Sequence, residues 1–274
     1  MPASPAQRGS PARAGARARV RRRLLAAAYC WIERAIPNRY FLLRPRGMRF
    51  QVYLNLRESP MMMSRYLGRY EPQKTAFLQS AIKPGMTVVD VGVNKGYYSL
   101  LAASLLQGKG RVLSFEPSPE NCRWIRRSIA ANGYECVSLF EMALSDKEGE
   151  ITLHMGTTSG SHSITETSRG RTGESITVKA GTLDAVLAEQ RVDRVDVVKI
   201  DVEGAECLVL GGAAKMLRQN GPMKIVADVH PQYGVNPEEV IRTLEDFGFS
   251  VRTLDGQAID SEARPSIREI LASK

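Results

Sequence analysis

The sequence predicts an α/β fold, an open and mostly parallel sheet with helices on both faces. Three observations predict it. From about residue 87 onward, short Val/Ile-rich apolar runs alternate with segments of helical spacing. Glycine, proline and capping residues punctuate the joints between them. Acids and glycines fall where the apolar runs end, and ligands of such sheets sit beyond the carboxyl ends of the strands.

Each element follows in order. "TVVDVGV" (87–93) reads as a buried strand, and 96–107 as a helix with Leu100, Leu101, Leu105 and Leu106 on one side. "RVLSFEP" (111–117) is a second strand that stops at Pro117. In "SPENCRWIRRSIAANG", Ser118 is the expected N-cap, Pro119 is tolerated in the first turn and Gly133 ends the helix. "CVSLFEMAL" (136–144) predicts a third strand, and "EITLHM" (150–155) and "SITVKA" (175–180) predict shorter strands flanking a polar Ser/Gly/Thr loop. "TLDAVLAEQ" is a short helix capped by Thr182. "VDVVKIDVE" (195–203) predicts a fourth parallel-type strand, followed by one helix across 205–219. "MKIVADVH" (223–230) is a fifth strand, "PEEVIRTLEDFG" (237–248) a helix, and "FSVRTLD" a late strand. No solenoid repeat is present.

With 274 residues, 43% hydrophobic and 24% charged, the chain can build a full core as one large domain with appendages. The expected division is a basic disordered tail (1–23), a helical or irregular extension (24–69) and a main domain (70–274). The formal charge of +9 suggests nucleic acid or an anionic surface. Residues 1–23, however, hold seven arginines and no acid, so the body is close to neutral. It also lacks the aromatic-and-basic clusters that stack on bases, so no nucleic-acid partner is expected. The tail is too polar and too rich in Pro, Ala, Arg and Gly to fold alone. "LLAAAYCWIERAI" predicts an amphipathic helix packed on the body or resting on a membrane. It also has the length of a signal-peptide core without a convincing cleavage site, and Arg-rich, acid-poor composition suits a mitochondrial transit peptide. Cys30, Cys122, Cys136 and Cys207 show no C-x-x-C spacing, which argues against zinc ribbons and fits a reducing, cytoplasmic location. No apolar run reaches the length of a membrane span.

The stretch "VVDVGVNKGYYSLLAA" (88–103) carries the chemistry. A dinucleotide site needs G-x-G-x-x-G, but Asn94 stands in place of the second glycine, and no G-x-x-x-x-G-K-[ST] occurs. D-V-G-V-N-K-G resembles instead motif I of the class I S-adenosylmethionine-dependent methyltransferases. The backbone N–H groups near Gly96 would meet that cofactor's carboxylate, Asp90 its ammonium end, and Gly92 and Asn94 the turn between them. An adenosine ribose presents two adjacent hydroxyls, which Glu116, ending the next strand, could accept bidentately. Adenine would lie near Glu141, Met142, Ala143 and Leu144, with a backbone N–H at Ala143 reading the ring.

The stretches "YEPQKTAFLQSAIKPGMTVVDVGVNKGYYSLLAA", "SFEPSPENCRWIRRSIAANG", "EMALSDKEGEITLHM", "GTLDAVL", "DVVKIDVEGAECLVLGGAAKML" and "VADVHP" together resemble the FkbM-type methyltransferases, from about Tyr70 to about residue 250. The resemblance implies a Rossmann-like class I methyltransferase fold with a mostly parallel seven-stranded sheet. It also implies methyl transfer from S-adenosyl-L-methionine to oxygen, often a hydroxyl of a sugar or natural product. The chain departs from the pattern at Lys95, where a small aliphatic is usual, and at Asp228, where Glu is commoner. A hydroxyl acceptor needs a general base. Candidates are His230, Asp201 and Asp228, then Glu203 and His162, which sits in a Ser/Gly loop that could close over the site or simply be exposed. Asp201, Glu203 and Asp228 could hold Mg²⁺ if they converged; nothing in the spacing brings them together, so no metal is expected. His154, within a strand, is expected to be structural.

Overall fold

The computed structural model describes residues 36–165 and 171–274. The basic tail and nearly all of "LLAAAYCWIERAI" lie outside the described residues. The chain opens with β1 (Phe41–Leu43), β2 (Val52–Leu54), α1 (Pro60–Tyr66) and α2 (Pro72–Ala81). Then follow β3 (Thr87–Val91), α3 (Tyr97–Leu106), β4 (Arg111–Phe115), α4 (Pro119–Asn132), β5 (Val137–Phe140) and β6 (Ala143–Leu144). Next come β7 (Gly149–Gly156), β8 (Arg171–Gly181), α5 (Leu183–Glu189), β9 (Val197–Ile200), α6 (Glu206–Gly211) and α7 (Ala214–Gln219). The last elements are β10 (Lys224–Asp228), α8 (Pro237–Asp246), β11 (Ser250–Arg252) and β12 (Glu269–Ser273).

The main sheet has seven strands in the order β11-β12-β10-β9-β3-β4-β5. The five from β10 to β5 are parallel, and β12 runs antiparallel between β10 and β11. Strand periodicity sorts the core into two layers. Val89 and Val91 of β3 join Leu113, Val198 and Ile200 on one face, while Val88 joins Val112, Val197 and Leu100 on the other. Each of these side chains is essentially inaccessible, a gain of about 1.5–3 kcal/mol apiece before chain entropy is counted.

Phe50, Val52, Leu54 and Met62 join the second layer against Tyr97 and Leu100 of α3. The β1–β2 hairpin is also tied to α4: Tyr53 N–H donates to Ser128 Oγ at 3.0 Å, and Gln51 N–H donates to Asn132 Oδ1 at 2.7 Å. Residues 50–62 thus complete one helical layer of the sheet.

The α/β architecture and the helix caps at Ser118 and Thr182 match expectation. Other elements differ. The strand expected across 136–144 divides after Phe140: β5 closes the main sheet, whereas β6 pairs with β8 in a separate three-stranded sheet completed by β7. The helix expected across 205–219 breaks at Gly212–Ala213. A side chain on Gly212 would sit 2.0 Å from the Ser145 carbonyl, and Asp184 caps the new helix start at Lys215 and Met216. Within the extension expected to be helical or irregular (24–69), α1 is helical but β1 and β2 pair as a hairpin, while β12 and α2 carried no expectation. Among the described residues no helix is long and apolar enough to cross a membrane.

Candidate active site

Register brings three strand ends together. Val91 is level with Phe115 on one side and with Ile200 on the other. The residues that follow, Gly92, Glu116 and Asp201, therefore emerge side by side. The turns are stitched to one another: Gly92 N–H donates to Phe115 O at 3.0 Å and Asp201 N–H to Val91 O at 3.0 Å. Gly92 has φ +77°, and a Cβ there would lie 1.8 Å from the Asp201 carbonyl oxygen. Only glycine allows that approach. Asn94 is left-handed too, at φ +54°.

These ends open into a cleft lined by Gly92, Asn94, Phe115, Glu116, Met142, Ala143, Leu153, His162, Asp201 and Glu203. Of the cofactor-binding expectations, Gly92, Asn94, Glu116 and Ala143 meet there. Two do not. Asp90 is 2% exposed and turns away from the cleft, accepting from Ser99 Oγ at 2.6 Å with Lys199 Nζ at 3.5 Å. The expectation that it meets the ligand's ammonium is corrected, because its charge is matched inside the sheet. Gly96 starts α3 against Ile125 and Leu100 rather than lining the cleft.

Glu116 is held by the loop it faces. Its Oε2 accepts from Asn94 N–H at 2.7 Å, and Oε1 accepts from Ser118 N–H at 3.0 Å and Asn121 Nδ2 at 3.1 Å. Burial pushes its carboxyl up, opposed by these donors. A carboxylate has about four lone-pair sites. Oε1 is filled, and Oε2 keeps one site open. The bidentate grip on two hydroxyls expected from the sequence is thus reduced to one.

Lys95, the departure from the family pattern, points away from the cleft. It donates to Asn121 Oδ1 at 2.8 Å and Tyr40 Oη at 2.7 Å, with Glu58 at 3.4 Å. Glu58 in turn accepts from Ser159 N–H at 2.9 Å, and Ser159 Oγ donates to Asn94 Oδ1 at 3.2 Å. The amino-terminal hairpin and the Ser/Gly loop are therefore latched to the same turn. His162 lines the cleft half-buried, its Nδ1 accepting from Gly156 N–H at 3.0 Å. Burial and the charge of Lys95 push its pKa down, leaving a neutral ring with its proton on Nε2.

The candidate general bases separate. Asp201 and Glu203 line the cleft, while Asp228 and His230 do not. Asp228 is gripped by Lys74 Nζ at 2.6 and 2.7 Å, and Lys74 also meets Glu71 at 2.9 Å and Glu269 at 3.0 Å. Burial disfavours that ammonium, but Asp228 and Glu71 hold its pKa above the ordinary lysine range. Asp228 is a partner to a buried cation, which corrects its assignment as a base. His230 holds Glu206 Oε1 through Nδ1 at 2.5 Å, while Nε2 stands 3.6 Å from both Asp201 Oδ1 and Glu203 Oε2. Burial lowers its pKa, but the bond to Glu206 and the charges of Glu203 and Asp201 outweigh that and raise it to about 9. The imidazole is thus held toward its cationic form and is not a free base. Burial first, then Asp201, Glu206 and Asp228, raise Glu203 to about 7 against the pull of His230.

Lys74, Lys199, Glu206 and the Lys95–Asn121 link were not expected. Lys74 could have been found, because it shares the buried stripe of α2 with Leu78 and Ala81 at i+4 and i+7. Lys199 interrupts the apolar strand "VVKI". Glu206 carries no such signal.

Residues 90–251, more than half of the chain, match the family described as the methyltransferase FkbM domain. The hexuronic acid methyltransferase AglP of Haloferax volcanii is 29% identical over 59% of this chain and 62% of its own. The 2-O-methyltransferase NoeI of Sinorhizobium fredii is 26% identical over 49% of this chain and 60% of its own. The chain thus spans less than two thirds of either relative. A crystal structure of a SAM-dependent methyltransferase from Aquifex aeolicus aligns with a TM-score of 0.42 and 17% identity, over 79% of this chain and 93% of that one. By the match over residues 90–251, the chain belongs to the FkbM methyltransferase family.

Proposed function

We propose that the protein transfers a methyl group from S-adenosyl-L-methionine to a hydroxyl of a sugar, free or within a glycan. The carrying observation is the cleft at the ends of β3, β4 and β9. There Glu116 offers a carboxylate oxygen with one open lone pair, and Phe115, Met142, Ala143 and Leu153 offer an apolar slot. A ribose and a purine fit that set, whereas a pyrophosphate would face the carboxylate of Glu116. The relatives' names, a hexuronic acid methyltransferase and a 2-O-methyltransferase, support a sugar acceptor.

Glu116 would hold the adenosine end beside the Gly92–Asn94 turn, whose own N–H groups are taken by Phe115 O and Glu116. The bound sulfonium supplies an activated methyl group. The chain's remaining task is to orient the acceptor oxygen, which can lower a barrier by roughly 7–11 kcal/mol. Asp201 and Glu203, both facing the cleft, are the groups available to orient a hydroxyl and relieve it of its proton. His162 presents a neutral N–H donor to the same space. The Ser159–Asn94 and Ser159–Glu58 bonds keep the Ser/Gly loop over the turn, which limits water.

The test is mass spectrometry of a panel of free sugars and glycans incubated with the purified chain and S-adenosylmethionine. One acceptor should gain the mass of a CH₂ group in a linkage that resists mild base, as an ether does. A base-labile gain would mean a carboxyl acceptor, and no gain on any sugar would refute the sugar assignment.

A further inference from the structure

We infer that Asp201, Glu203 and His230 form a binding site for a first-row divalent transition-metal ion, with Glu206 fixing the histidine behind them. The ion-binding claim stands on this geometry alone; its use in orienting an acceptor oxygen rests on the methyl-transfer function proposed above. One ligand atom from each of the three residues lies within 4.8 Å of the others.

The distances distinguish an ion from a proton. Charge-assisted hydrogen bonds contract to about 2.7–2.9 Å, and the Nδ1 side of His230 shows such contraction, at 2.5 Å from Glu206. On the other side, Nε2 stays 3.6 Å from both Asp201 Oδ1 and Glu203 Oε2. That is too long for a hydrogen bond. It suits two ligands sharing an ion at about 2.0–2.2 Å from each. The arrangement is also that of a ligating histidine, whose second ring nitrogen is held by a carboxylate.

The charge balance agrees. Lys199 sits beside Asp90 and Asp201, and Lys74 serves Asp228, Glu71 and Glu269. Three carboxylates then converge on His230. Glu206, wholly buried, leaves its Oε2 without a hydrogen-bond partner. A dication there offsets more of that negative charge than the imidazole's single proton can. One nitrogen and two carboxylates favour an ion of the Mn²⁺ or Zn²⁺ kind over an all-oxygen Ca²⁺ site. Three protein ligands leave open positions toward the cleft that Asp201 and Glu203 line. There the ion would grip an acceptor hydroxyl and make it more acidic. Glu203 is then a ligand, and the ion takes over the task of loosening the proton.

The full chain, stripped with chelator and dialysed, is titrated with Mn²⁺ and free ion is followed by electron paramagnetic resonance. One site per chain is expected. Glu203→Gln and His230→Gln should abolish it, and Glu206→Gln should weaken it about 10–100-fold. S-adenosylhomocysteine titrations on the same samples report folding and separate the two claims. Mn²⁺ binding without cofactor binding upholds the ion site and defeats the methyl-transfer assignment. Cofactor binding without Mn²⁺ binding, or Mn²⁺ affinity unchanged in Glu203→Gln and His230→Gln, overturns the ion site. Should the variants not fold, the wild type decides by NMR. Mn²⁺ should bleach the His230 ring signals before those of His154, and the reverse order overturns the site.

Discussion

Replacing Glu116 by Gln keeps the side chain's shape and removes its charge. In the folded chain the carboxylate accepts from Asn94 N–H, Ser118 N–H and Asn121 Nδ2, and one lone pair on Oε2 remains for a ligand hydroxyl. A hydrogen bond to a charged group is worth about 1.5–3 kcal/mol. The amide also turns an NH₂ toward either Asn94 N–H or the Ser118 and Asn121 donors, which loosens either the Asn94 turn or the start of α4. Losing the ligand contact alone should weaken S-adenosylhomocysteine binding by about 10–150-fold. Calorimetry measures that change, and a thermal melt reports any loss of fold. The single open lone pair makes a sharper prediction. Of two ligand analogues lacking one ribose hydroxyl each, only one should bind the wild type less well, and Glu116→Gln should not discriminate between them. A variant that melts like the wild type and binds within about twofold would refute the role given to Glu116.

Three further outcomes follow from the packing. Gly92→Ala must fit a Cβ 1.8 Å from the Asp201 carbonyl, whereas Gly133→Ala, also left-handed, meets nothing within 4 Å. Both pay about 1–2 kcal/mol of backbone strain; only Gly92→Ala should also lose cofactor binding, and equal behaviour would deny that the approach matters. Lys74→Met strands Asp228, Glu71 and Glu269 together, and should cost about 3–5 kcal/mol in chemical denaturation; a loss near zero would mean that the carboxylates find other partners. Burial pushes the Glu58 carboxyl up, but Lys95, Ser159 and Tyr40 more than offset this and hold it below its ordinary range. Its stabilising contribution is present above the unfolded-state value and lost as pH falls through the folded one. Glu58→Gln should therefore cost about 1–3 kcal/mol at neutral pH, a gap that closes in acid; a gap that widens in acid would contradict the latch.

What the sequence made legible was local. Strand ends show themselves by an acid or glycine closing an apolar run, so Gly92, Asn94, Glu116 and Asp201 could be placed at one rim before any coordinates. Helix caps were equally readable, since Ser118 and Thr182 each bond within their own first turn. Partnerships across the chain were not. Lys74 and Asp228 are 154 positions apart, and no periodicity links them. Asp90 and His230 stand at strand ends like the others, yet their direction depends on Lys199 and Glu206, which no spacing rule couples to them. The break at Gly212–Ala213 goes with the close approach of Gly212 to Ser145, again a matter of tertiary approach. The strand β12 was hidden for another reason: it inserts antiparallel between β10 and β11, against the alternation that identified its neighbours.

The most direct measurement is a calorimetric titration of the purified full chain with S-adenosylhomocysteine and, separately, with NAD. A rim where the carboxylate of Glu116 faces a ribose and would repel a pyrophosphate should bind the sulfur compound one to one and give no heat with NAD. Heat with NAD, or with neither, contradicts the assignment of the cleft.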